Sequence, residues 1–294
     1  MLVEDRVYFA DPTTFNDPLD TKPTLNSDLE NEALKQALRQ LFEQRTRAEM
    51  DVAAQTIKYR GPKTIAHIER KSQQAAENLL ADIEYNSTNP EYEYEDPEKV
   101  LLSFYVEREL LLRYDKGIFS LAKRANCPLM WSHYGDQHKG LCVGYSVPAE
   151  AAKDLHKVQY GGSRLVNASD VSDMLRGDEA SRRKVDEAVL LKKAKPWGYE
   201  KEWRLIGPRG LQDSPLILEE VVFGMRCTDA VKFAVVRALE DRDISVQFYE
   251  ICQNPGSFIL TKRQLNTDEL VAELPRRSRH WENPFEKFSS ITTV

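Results

Sequence analysis

The sequence predicts an α+β fold: a small mixed β-sheet, whole or split, with flanking helices and a helical insertion after the first strand. Two observations carry this. Residues 22–115 read almost wholly as amphipathic helix, whereas from Gly117 onward short strand signals alternate with short helices. The later strands are brief and bounded by Gly or Pro, which favours a mixed sheet over a regular doubly wound one.

The elements follow in order. Leu2–Ala10 reads as a strand, with Val3, Val7, Tyr8 and Phe9 supplying β-branched and aromatic side chains. Asp11 to Pro18 is dense in turn formers. Asp28 is expected to cap a helix reaching about Arg47, with Leu34, Leu38, Leu41 and Phe42 as its apolar stripe. A second helix is expected over Thr64–Ile83, burying Ile65, Ile68, Leu79, Leu80 and Ile83. A third follows Pro97, with Leu101, Leu102, Tyr105, Leu110, Leu111 and Leu112 as apolar positions.

Strands are then expected at 118–121, 140–147, 157–160, 198–206, 217–223, 244–251 and 258–261. Helices are expected at 148–156, 169–175, 180–193 and 228–240. The whole is read as one domain over 1–272, with 22–115 inserted, and a polar tail at 273–294 carrying Arg276, Arg277 and Arg279.

Composition bounds the function. The 294 residues carry a formal charge of −6, with 41% hydrophobic and 30% charged side chains. That balance suits a folded, soluble chain and argues against broad phosphate-backbone binding. No apolar run approaches the roughly 20 residues of a membrane-spanning helix, and the opening residues are not those of a signal peptide. Cys127, Cys142, Cys227 and Cys252 lie far apart without C-x-x-C or zinc spacing, so buried, inert thiols in a cytoplasmic protein are expected.

Two segments concentrate polar chemistry, and together they hold three of the four tryptophans. The first runs from Pro128 through Trp131-Ser132-His133-Tyr134-Gly135-Asp136-Gln137-His138 to Gly140; the second is Pro196-Trp197-Gly198-Tyr199-Glu200-Lys201-Glu202-Trp203-Arg204. Strand alternation puts Glu200, Glu202 and Arg204 on one face of the second segment, and Trp197, Tyr199, Trp203 and Leu205 on the other. Two readings stand: a solvated Glu/Glu/Arg face over an aromatic core, or a carboxylate in a cleft that stabilises a developing cation.

His133-x-x-Asp136-x-His138 invites a metal-dependent hydrolase or nuclease reading, but its spacing fits no helical ligand pair. A Ser132/His133 catalytic pair lacks a G-x-S-x-G context. A non-catalytic binding or regulatory protein, with the helical block as a partner surface, is the third reading.

The segments Val7-Tyr8-Phe9-Ala10-Asp11-Pro12-Thr13-Thr14-Phe15-Asn16-Asp17-Pro18-Leu19-Asp20, Met130-Trp131-Ser132-His133-Tyr134-Gly135, His138-Lys139-Gly140, Trp197 to Arg204 and Glu220 to Gly224 resemble, in this order, the bacterial domain-of-unknown-function family 2971. A more distant resemblance is to the ADP-ribosyltransferase fold, including its DNA-modifying toxin branch, whose late strand bears a Glu/Gln-x-Glu motif. Glu200-Lys201-Glu202 is similar to that motif.

By this resemblance NAD is the substrate, and a toxin or antiphage effector acting on an unknown protein or nucleic-acid acceptor is implied. Glu202 would bond the ribose 2′-hydroxyl and Glu200 would orient or deprotonate the acceptor. His133 and Tyr134 would line the nicotinamide pocket, Asn16 and Asp17 would shape the loop closing it, and Ser132 and Arg204 complete the NAD-binding set. Family members carry a further strand ahead of the segment matching Val7–Asp20. Either that strand lies upstream of Met1, or another element replaces it, or it has been lost together with the activity.

Overall fold

The computed structural model describes residues 2–56, 58, 61–114 and 116–276. The expected tail lies outside the described residues from 277 onward. The α+β reading holds: helices and small mixed sheets make up the described chain. They fall into two compact units, Met1–Lys123 with Val147–Pro215, and Arg124–Ser146 with Leu216 onward.

In the first unit the strand Glu202–Gly207 lies between Gly117–Ala122 and Leu155–Lys157, antiparallel to both. Its register sets Arg204 opposite Ser120 on one side and His156 on the other. Arg6–Phe9 pairs antiparallel with Gly210–Asp213, a strand whose polar sequence gave no signal. Ala10 bridges to Ile118 and links this ribbon to the three-stranded sheet. Thr24–Asn26 pairs with Leu165–Asn167, and Gln159–Tyr160 with Lys192–Lys193, both in parallel.

The helical block comprises Asn31–Thr56, Pro62–Ser87 and Pro97–Arg113. Pro62 and Pro97 each start a helix at its first position, where a missing N–H costs nothing. Leu34, Leu38 and Leu41 are buried as the stripe predicts, and they pack with Ile83, Leu102, Val106 and Leu110. The same core takes in Ile118, Val166, Val171, Val185 and Val189, so the block shares its apolar interior with the strands and helices that follow it.

Several expectations are corrected. Ile65 and Leu112 are exposed, while Glu109 is buried in the third helix because Arg45 grips both its oxygens, at 2.6 and 3.1 Å. Asp28 does not cap the first helix. Its carboxylate accepts from the Ser169 amide at 2.9 Å and so caps the helix Ala168–Leu175 across 141 residues.

In the second unit Ile217–Phe223 pairs antiparallel with Leu141–Ser146 and parallel with Gln247–Gln253, which in turn pairs antiparallel with Leu260–Gln264. Trp131, Val222, Ile251 and Leu260 form one of its buried clusters. Helices Asp229–Ala238 and Thr267–Glu273 belong to this unit, as does the short helix Pro128–His133, which again begins on proline. All four cysteines are free: Cys127 and Cys227 are buried, while Cys142 and Cys252, on strands as expected, are only half-buried. Among the described residues no helix is long and apolar enough to cross a membrane.

Candidate functional site

The segment expected as a continuous strand over 198–206 is two structures. Lys195–Tyr199 forms a 3-10 turn started by Pro196, Glu200 closes it in helical backbone, and Lys201 takes a left-handed φ of 49°. The strand begins only at Glu202. Glu200, Glu202 and Arg204 still meet, because the turn and the Lys201 reversal bring Glu200 back onto the strand's inner face. That face is not solvated: the three are 3%, 5% and 0% exposed.

What keeps these charges inside is a network with two partners that the sequence did not mark as site residues. Arg204 donates from Nε to Glu202 Oε1 at 2.8 Å, and from Nη2 to both oxygens of Asp20 at 2.9 and 2.7 Å. Its Nη1 donates to the Leu190 carbonyl at 2.7 Å. That carbonyl lies in the last turn of Glu179–Leu190, where helix geometry leaves it unpaired and a cation is favoured. The helix ends there instead of at the expected Lys193. Lys193, freed onto a two-residue strand, reaches Glu200 at 2.7 Å, Glu202 at 3.0 Å and Asp20 at 3.5 Å.

Ser120 donates to Glu202 Oε1 at 2.7 Å, and the Glu202 amide donates to the Tyr160 hydroxyl at 2.8 Å. Aromatic rings border the charges: Lys193 Nζ lies 5.2 Å from the Trp197 ring centre, and the Arg204 guanidinium carbon 5.6 Å from that of Phe15. Trp197 Nε1 donates to Asp17 Oδ2 at 2.8 Å, tying the Asp11–Asp20 loop to the Trp-Gly-Tyr turn. Asn16 stands exposed beside it.

Among the side chains named here, three carboxylates face two cations. Burial pushes the Glu202 carboxyl up, but Arg204, Lys193 and Ser120 outweigh it and hold the group below its ordinary value. For Lys193, burial acts downward and the facing acids, Glu202 first, outweigh it and raise it. A lowered carboxyl stabilises the fold above its unfolded value and ceases to do so as pH falls through the folded one; a raised lysine does the reverse at alkaline pH. The cluster is therefore expected to contribute fully from about pH 5 to about pH 10. Below about pH 4.5 its contribution should decline, and E202Q should flatten that decline. Urea midpoints of both proteins between about pH 2.5 and 6 check this, and parallel curves would contradict it.

Ser132, His133 and Tyr134 belong to the second unit, and so does His138. Ser132 Oγ donates to the Pro128 carbonyl at 3.0 Å, and the His133 and Tyr134 rings meet edge-on at 6.3 Å. His138 stacks on Trp131 at 6.0 Å, and burial first, then Arg226, pushes its imidazole below the usual range. Among the described residues no three His, Cys, Asp or Glu side chains are grouped to hold a metal ion.

Residues 130–205 match the family model described as Protein of unknown function (DUF2971). Over this segment the chain is similar to DUF2971. The match takes in the Trp131–Tyr134 motif and the Trp197–Arg204 motif, but not the Asp11–Asp20 loop or the Glu220–Gly224 strand end. No curated protein and no solved structure matches the chain. Within the DUF2971 segment lie Tyr160, Lys193, Glu200, Glu202 and Arg204; Asp20 and Ser120 complete the network from outside it.

Proposed function

We propose that this chain is an NAD-consuming enzyme of the ADP-ribosyltransferase type, with Glu202 as its central carboxylate. The observation that carries the reading is the buried cluster of Asp20, Lys193, Glu200, Glu202 and Arg204, three carboxylates to two cations, with the rings of Trp197 and Phe15 beside it. A carboxylate held away from water is costly unless a counter-charge meets it. A planar pyridinium such as the nicotinamide of NAD supplies both the charge and the flat face.

Glu202 is pre-positioned for this by Ser120 from the neighbouring strand and by Arg204. It would exchange the Lys193 ammonium for the ribose 2′-hydroxyl and stabilise positive charge at C1′ as the glycosidic bond breaks. Nicotinamide leaves with the bonding electrons, the acceptor's nucleophile attacks C1′, and Glu200 takes the proton the nucleophile loses.

One observation favours a different reading. The Glu202 carboxylate already accepts from Ser120, Lys193 and Arg204, and its side chain is only 6% exposed. A chain that merely binds or regulates, using this cluster to hold its fold, would look the same. The decisive experiment measures nicotinamide release from NAD by the purified full-length protein with protein and nucleic-acid acceptors present. Release that E202Q lowers by about 10²–10³-fold, with unchanged circular dichroism, is the expected result. Wild-type protein that neither binds NAD nor releases nicotinamide would decide for the second reading.

A further inference from the structure

A second feature of the first unit stands apart from the carboxylate cluster and from the NAD reading. A cavity of about 610 Å³ opens between the end of Pro97–Arg113, the helix Glu179–Leu190 and the sheet edge at His156. That volume is within the range of small-ligand sites, roughly 300–1,000 Å³. Four cations stand on its walls: Arg113, Lys116, Arg182 and Arg183. Among the described lining residues Asp186 and Glu187 are the opposing acids, two against four cations, in a chain whose total is −6.

The acids are not equally available. Asp186 accepts from the Tyr114 hydroxyl at 2.6 Å and lies 3.9 Å from Arg182 Nε. Arg113 donates to Gln44 at 2.6 Å. Lys116 and Arg183 make no side-chain hydrogen bond or ion pair among the described residues, and neither does His156. Two uncommitted cations and an imidazole thus face one cavity. Its floor is apolar, made by Met174, Leu190, Leu191 and Ile206.

Local chemistry accounts for the site. Leu190 closes its helix with its carbonyl turned to Arg204, so the helix end that shapes the floor is fixed by the buried ion cluster behind it. Arg182, Arg183 and Asp186 project from the preceding turns of that same helix. A cationic rim over an apolar floor suits a ligand with a doubly charged anionic group on a flat, weakly polar body. We infer that this cavity binds a nucleoside monophosphate, its phosphate on Lys116 and Arg183 and its base against Met174, Leu191 and Ile206.

The test is calorimetric titration of the full-length protein with AMP and, separately, with inorganic phosphate. AMP is expected to bind, more tightly than phosphate by at least about tenfold. K116A and R183A each remove a cation with no side-chain partner among the described residues, so both variants should fold normally and each weaken AMP about tenfold. Added salt should weaken binding in the wild type and less in the double variant. No AMP binding at millimolar concentration, or binding that both variants leave unchanged, would overturn the assignment. Equal affinity for AMP and phosphate would overturn its nucleoside part. E202Q should retain AMP binding, which separates this site from the proposed NAD chemistry.

Discussion

Arg204→Met should destabilise the protein by about 3–5 kcal/mol, read as a large fall in the urea unfolding midpoint. The guanidinium is fully buried and holds Asp20, Glu202 and the Leu190 carbonyl at once. Methionine fills much of the space but takes the guanidinium away from Asp20 and Glu202. Removing one partner from a buried ion cluster strands the others without water, and that penalty, more than the lost attraction, sets the size of the effect.

Arg204→Lys should recover only part of the loss. An ammonium keeps the charge but cannot bond Glu202, Asp20 and Leu190 together from one planar group. Adding Asp20→Asn to Arg204→Met should return some stability, because it withdraws one of the stranded carboxylates. The double variant is expected to be less destabilised than the sum of the singles by more than about 1 kcal/mol. An Arg204→Met cost below about 1 kcal/mol, or strict additivity with Asp20→Asn, would show that the charges are not coupled as the geometry implies.

How far this cluster was legible in the sequence depends on the route by which each member arrives. Glu200, Glu202 and Arg204 are neighbours in sequence, and their shared face followed from alternate spacing. The grouping held even though Glu200 reaches it through a 3-10 turn and the left-handed Lys201 instead of through a strand. Lys193 was hidden by helical periodicity that runs past Leu190, where the carbonyl-to-Arg204 bond and the pairing of Lys192 and Lys193 with Gln159 and Tyr160 end the helix. Asp20 approaches from 184 residues away, and no local pattern encodes such a pairing.

The same division runs through the fold. Leu34, Leu38 and Leu41 announce their helix because their spacing matches the period of the structure that buries them. Asp28 misleads for the opposite reason: a good capping residue lies next to one helix but serves another that folds against it. Sequence reading separates local from tertiary partners poorly wherever a short polar side chain has several amides within reach. The family motif was readable because it is a pattern of residue types, and the match over 130–205 bears it out.

Gly224→Ala is the second change expected to have a large effect, and it acts in the second unit. Gly224 follows the strand Ile217–Phe223, and its amide donates to the Gly140 carbonyl at 3.0 Å. Two residues on, the Arg226 amide donates to the His138 carbonyl at 2.9 Å. A methyl group on Gly224 would overlap the His138 carbonyl oxygen, come within 2.7 Å of its carbon and lie 3.1 Å from the Gly140 oxygen. These are backbone atoms, and no rotamer change relieves the overlap. Alanine therefore forces the strand end and the loop apart and breaks both hydrogen bonds.

Overpacking of this kind costs about 1–3 kcal/mol, and each lost backbone bond adds about 1 kcal/mol. The loop has reason to be sensitive. Asp136, Gln137 and His138 are three successive non-glycine residues in left-handed backbone, at φ 46°, 54° and 71°. Such a run persists only where its surroundings over-determine it, and the Gly224–Arg226 contacts are part of that restraint. Because His138 stacks on Trp131, release of the loop should also change tryptophan emission under native conditions.

Gly144→Ala is the matched control. Its methyl would meet the Glu220 side chain at Cγ, a clash that a rotamer change can relieve at the cost of the 2.6 Å ion pair to Lys262, with no backbone atom displaced. A cost for Gly224→Ala no greater than that for Gly144→Ala would mean that the loop yields freely, and that its left-handed run is not held by the strand end.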